Sequence, residues 1–183
     1  MSETTQTRTV TTTKAAGLDV RALVLVAILL AAGFILNLTV GKALAITGIQ
    51  PEFVISSYCL AILLLRPTRA QAAVIGLLAA TVIQLTTSIP GLEYVCDLPA
   101  SVLMATIVIM TGERGPRGVV PFVGAFVTTA VSGLIFASLA TTVFLKADAL
   151  AIVAMLPIVF GTAAFNGVVV QALYLPLKKA VRR

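Results

Sequence analysis

The residues best suited to hold a ligand fall in two short stretches and their surroundings. The stretch "LTTSIPGLEYVCDLP" (85–99) sets Thr86, Thr87 and Ser88 before Pro90-Gly91, and Glu93, Tyr94 and Asp97 after them, with Gln84 just upstream. The stretch "GIQPEF" (48–53) brings Gln50 and Glu52, and Asn37 and Thr39 lie a little before it. Hydroxyls and amides donate and accept hydrogen bonds, while ionised carboxylates only accept and so suit an amine or ring N–H. Such a set fits noncovalent capture of a small organic molecule, because polar groups converging on an apolar hollow are the usual form of a ligand site. A plainer reading stands beside it. Hydroxyls at a helix end satisfy free carbonyls, Glu93 and Asp97 are then solvated loop charges, and Glu52 after Pro51 complements the dipole of the helix it starts.

Covalent chemistry finds little to work with. The chain has no His, and its two cysteines, Cys59 and Cys96, differ too much in setting to form a metal site or a disulfide framework. Neither a phosphate loop nor a nucleophile–base pair stands out, and the centres of the apolar runs hold no ionisable residue. The expectation is a protein that is not an enzyme, uses no cofactor or metal and does not hydrolyse ATP itself.

The elements that position these residues follow from composition. Of 183 residues, 59% are hydrophobic and 11% charged, with a mean hydropathy of +1.08. A soluble domain carries roughly 25% charged residues, so this chain cannot coat itself for water. Its solvent is a lipid bilayer. There the backbone must bond to itself, as helices or a closed barrel, and the long non-alternating runs select helices. A net charge of +6 therefore reports membrane topology rather than nucleic-acid binding.

Six apolar segments are expected, at 20–40, 53–65, 70–89, 98–112, 119–145 and 148–177, after a polar, Thr-rich tail at 1–17 that reads as disordered and cytoplasmic. Residues 18–183 then form one membrane domain. The second and fourth segments are short against the ~20 residues a crossing needs. Charge sorting argues that both cross. With the N-terminus inside, eleven Lys and Arg fall on the cytoplasmic side and only Lys42 and Lys146 outside, while Glu52, Glu93, Asp97 and Asp148 lie in outer loops. The fold class is thus an all-α membrane protein of six transmembrane helices, both termini cytoplasmic, in the cell membrane. Short segments beside polar outer loops imply a cavity open to the outside. Cys96, in an outer loop, is expected to be reachable from outside, and Cys59 to be an inert helix residue.

Two further features concern packing. Ala27 and Ala31 are two small residues four apart on one face of the first helix, with Ala32 and Gly33 following. They serve either close packing within the protein or docking of another helix. Asn166, in "AAFNGVV", is costly inside a span unless paired, and helix–helix bonding past the midpoint is its expected role.

Six short helices, this length and the Ala-x-x-x-Ala of helix 1 together resemble the substrate-binding S components of energy-coupling factor (ECF) transporters. The general likeness covers 18–178. Within that family, "GIQPEF" and "LTTSIPG" are similar to the tryptophan-type members, which carry Gly-x-x-Pro-Asp before helix 2 and Leu-Thr-Thr-Ser-Phe-Pro-Gly after helix 3; this sharper likeness covers about 45–91. The family's Gly-Gln-Ile-Pro-Asn continuation is replaced here by "GLEYVCDLPA". The resemblance implies a prokaryotic membrane subunit that captures a small organic nutrient, tryptophan or a related aromatic compound. It implies that Ala27 and Ala31 dock on a coupling transmembrane subunit joined to two ATPase subunits. A stand-alone small-solute transporter or channel of another class is the alternative. The site residues this reading names are Asn37, Gln50, Glu52, Gln84, Thr86, Thr87, Ser88, Glu93, Tyr94 and Asp97.

Overall fold

Helix starts in this chain are fixed by short polar side chains. Asp19 accepts from the Ala22 amide at 2.8 Å and opens the first helix. Thr68 and Gln71 form a reciprocal capping box at the third. The computed structural model describes residues 18–46, 51–148 and 150–181. These hold six helices and, among the described residues, no strand: α1 (Val20–Ala45), α2 (Phe53–Leu65), α3 (Arg69–Ile83), α4 (Leu92–Met110), α5 (Val120–Phe144) and α6 (Leu150–Val181). The tail at 1–17 and Gln50 lie outside the described residues.

Four helices, α1, α4, α5 and α6, are long and apolar enough to cross a membrane; α2 and α3 have 13 and 15 residues. The first helix runs on to Ala45 and the last to Val181, and the largest shift lies between the third and fourth. The third helix stops at Ile83 rather than 89, and the fourth begins at Leu92 rather than 98. The polar stretch after Gly91 therefore adds two turns to α4, which is 19 residues long and not a short segment. Glu93 and Asp97 are helix residues, both buried, rather than loop charges.

The short α2 occupies the centre and touches all five other helices. Every residue from Phe53 to Leu63 is buried. A helix that is apolar all round belongs in the middle, where every face finds a partner. Close approach needs small residues at the contacts. Gly33 of α1 sits directly against Ser57 and the Phe53 carbonyl of α2, and Gly76 of α3 sits against Ser101 of α4; a Cβ at either glycine would collide with the facing residue. Gly33 thus faces inward, whereas Ala27, Ala31 and Ala32 are exposed on the outer face of α1.

At one end of the bundle Arg66, in the left-handed region at φ 50°, closes α2. Its guanidinium donates to the carbonyls of Gly112 and Glu113, tying the α2–α3 corner to the α4–α5 loop. Arg114 and Lys178 border the same small hollow.

Candidate functional site

A cavity of about 390 Å³ opens at the end of the bundle that carries Asn37, Lys42, Glu52 and Thr86. Six of the residues singled out in the sequence line it: Asn37, Glu52, Thr86, Thr87, Ser88 and Glu93. Each arrives from a different local device. Asn37 begins a π-helical turn, Asn37–Gly41, inside α1. Such turns are rare and collect at functional sites. Its Oδ1 accepts from the Phe53 amide at 2.7 Å, so Asn37 caps α2 from a distance. Glu52 is the N-cap residue of α2, yet its side chain makes no capping bond. With Asn37 on the amide, the Glu52 carboxylate is left to face the cavity. Glu52 thus stands at the start of α2 without capping it by a side-chain bond.

The hydroxyl stretch sits on the turn between α3 and α4. Thr86 Oγ1 donates to the Ile83 carbonyl at 3.3 Å, as a helix-end hydroxyl is expected to do. Thr87 Oγ1 instead donates to Glu93 Oε1 at 3.1 Å and accepts from the Ile89 amide, which fixes the glutamate toward the cavity. Gly91, at φ 88°, makes the reversal that a side chain would disfavour. Gln84 Oε1 accepts from the Gly91 amide at 2.9 Å, so Gln84 is a turn staple and not a lining residue. The segment after Pro90-Gly91 is the start of α4.

Two more expected site residues are placed elsewhere. Tyr94 bonds the Thr81 hydroxyl at 3.2 Å, joining α4 to α3 away from the cavity, because it stands one position past Glu93 on the helix. Asp97 is one turn deeper than Glu93 and almost fully buried, with Oδ1 accepting from Ser132 of α5 at 3.1 Å; it lies beneath the lining rather than in it. Gln50 falls outside the described residues. Cys96 is fully buried, against the expectation of outside access, because α4 turns it into the bundle; Cys59 is buried as expected.

The inner wall was missed in the sequence. It comes from α5 through Thr129, Ser132, Gly133 and Phe136, and from α6 through Met155, Ile158, Val159 and Thr162. Both sets repeat at i, i+3, i+4, i+7, the spacing of one helix face. That shared spacing was the available signal, hidden because small hydroxyl residues inside an apolar run look like packing. Asn166 lies behind this lining. Its Nδ2 donates to the Glu52 carbonyl at 3.2 Å and to Thr129 Oγ1 at 3.3 Å. It bonds helices together as expected, but beside the cavity rather than past the midpoint away from it.

Electrostatically the floor is acidic. Burial, then Glu93, then Asp97 push the Glu52 carboxyl up to about 8, because an unpaired anion is unfavourable there and two more acids stand nearby. Lys42, on the rim, is the cation among the described lining residues. Among the described residues no group of His, Cys, Asp and Glu could hold a metal ion. The arrangement can bind and orient a small molecule. No family model matches the chain, nor does a curated protein or a solved structure.

Proposed function

We propose that this chain is the substrate-capturing S component of an ECF-type importer, taking a small organic nutrient from outside the cell for ATP-driven uptake. The observation that carries the reading is the cavity: polar groups from α1, the α2 start, the α3–α4 turn, α4, α5 and α6 converge on one hollow at one end of an apolar helical bundle. Its size and mixed lining suit a small organic ligand. Arg66, Arg114 and Lys178 gather around a different hollow, bordered by the α2–α3 corner and the α4–α5 loop. Positive residues mark the cytoplasmic side, so in this reading both termini are cytoplasmic and the cavity opens outward. The short α2 then crosses inside a ring of the other helices, with irregular backbone kept where it lines the cavity.

Transport would run through partners. Ala27 and Ala31 lie exposed on the outer face of α1, where small side chains let another helix approach closely. A coupling subunit carrying two ATPases would dock there. In this reading the ligand is tryptophan or a related aromatic compound. The test is affinity purification of the tagged protein from its own cells. A coupling subunit and two ATPases should come with it, in defined stoichiometry. Recovery of the protein without them, together with energy-independent transport by the protein alone in vesicles, overturns the proposal in favour of a stand-alone transporter.

A further inference from the structure

Glu52 and Glu93 line the cavity from the starts of α2 and α4. Asp97 stands one turn beneath them. Among the described residues none of the three is in an ion pair, and Lys42 on the rim reaches none of them. Thr87 and Ser132 each donate one hydrogen bond to Glu93 and Asp97. These two bonds hold the acids as acceptors, and Glu52 caps nothing. An independent feature lies against the same cluster. Tyr58 is fully buried with its hydroxyl directed at Asp97. Asn166 Oδ1, behind Glu52, is buried without a partner. Native interiors leave few polar atoms in this state, and those left usually await water or a ligand.

We infer that the cavity selects a ligand bearing a protonated amine, with Glu52 and Glu93 as its counter-charges. The inference deepens the nutrient-binding reading above and rests on it. Ionising acids in this hollow without a counter-charge is costly, and a cation placed between Glu52 and Glu93 removes that cost. An anion would oppose their ionisation. A neutral ligand would supply no counter-charge. The amine needs its own N–H groups. Quaternary ammonium groups are recognised by aromatic cages, and Phe136 is the sole aromatic residue among the described lining residues. An ammonium with two or three N–H donors can instead bond both carboxylates at once. Lys42 at the rim leaves room for a carboxylate on the same ligand, so a zwitterion fits, provided its amine points inward.

The test uses four probes of similar shape on the purified full-length protein in detergent: phenethylamine, 2-phenylethanol, 3-phenylpropionate and trimethyl(phenethyl)ammonium. Phenethylamine should raise the melting temperature in a saturable way, and the other three should do so far less. E52Q and E93Q should each weaken the amine effect at least tenfold, while E52D, which keeps the charge, should weaken it less than E52Q. E52Q imitates a protonated acid, so unchanged affinity in both amides would mean that the acids do not act as counter-charges. Equal shifts from all probes, a lead by the anion or the quaternary ion, or no shift by the amine would also overturn the inference. The transporter reading fails separately. A protein that purifies with its coupling subunit but prefers the anion refutes only the amine, and one that prefers the amine but purifies alone refutes only the partners.

Discussion

Glu52 stands where a capping side chain would stand, but Asn37, sixteen positions earlier, satisfies the amide in its place. This exchange has a measurable consequence. In the unfolded chain Glu52 titrates near 4.5, and in the folded, cation-free protein near 8. The folded state holds that proton more tightly, so folding is linked to proton uptake. The contribution is fully present below 4.5 and is lost as the pH rises through 8. The empty wild-type protein should therefore melt at a lower temperature near pH 8 than near pH 5, and Glu52→Gln should flatten that slope. Circular dichroism melts across this range measure it; parallel slopes for both proteins would show that Glu52 is not the titrating group. Lys42, Glu93 and Asp97 remain in both proteins, so the difference between the slopes isolates position 52. The sequence made Glu52 conspicuous, since an acid after proline in an apolar chain is visible by eye. Its freedom from capping was not visible, because Asn37 reaches the α2 amide only through the fold.

At the scale of elements, the length of α2 sets the design. A helix of thirteen residues buried from Phe53 to Leu63 cannot be an amphipathic surface helix, and the other five helices are arranged around it. The contact with α1 depends on Gly33, which sits against the Ser57 hydroxyl and the Phe53 carbonyl. Gly33→Val should destabilise the protein by about 1–3 kcal/mol, the usual cost of overpacking a tight core. Ser57→Ala should rescue it only in part, because the carbonyl cannot move without disturbing the Asn37 cap. Thermal melts of the two single variants and the double variant check this; full rescue would place the whole clash on the serine hydroxyl. The sequence showed six apolar runs and the punctuation between them. It misplaced the α3–α4 turn because Thr86, Thr87 and Ser88 carry no breaking signal before Pro90. It also read "LEYVCDL" as a loop because two acids in seven residues look solvated. In the fold Glu93 faces the cavity and Asp97 is bonded by Ser132 beneath it, which permits a helix there. Two of the helix faces that close the cavity, on α5 and α6, could have been found from their common i, i+3, i+4, i+7 spacing.

For the whole molecule, orientation can be read with introduced cysteines, because the native pair is silent. Cys59 and Cys96 are both fully buried, so an impermeant thiol reagent should leave intact wild-type cells unlabelled. In the proposed orientation Ser88→Cys should label from outside, and Arg117→Cys, exposed in the α4–α5 loop, only after the cells are opened. The reverse pattern would invert the protein and turn the cavity toward the cytoplasm.

The same outer surface separates capture from delivery. Ala31 is exposed on α1, with Ile28 and Ile35 beside it at about 60% exposure, while the cavity is reached further along that helix by Asn37, Leu38 and Gly41. A bulky residue at Ala31 meets only lipid in the isolated protein, so it should cost little stability. Against a docking helix it would hold two backbones apart at a point where small residues permit close approach. Ala31→Trp should therefore leave the melting temperature and the affinity for phenethylamine unchanged. It should lower both co-purification with the coupling subunit and nutrient uptake in cells by at least about tenfold, which corresponds to ~1.4 kcal/mol of lost docking. Ala27→Trp, one turn earlier on the same face, should act in the same direction. Ile35→Trp is the control, since a large side chain already stands there. If Ala31→Trp supports full uptake, the alanine face is not the docking surface. If it reduces ligand affinity and uptake together, capture and delivery are not built on separate parts of α1.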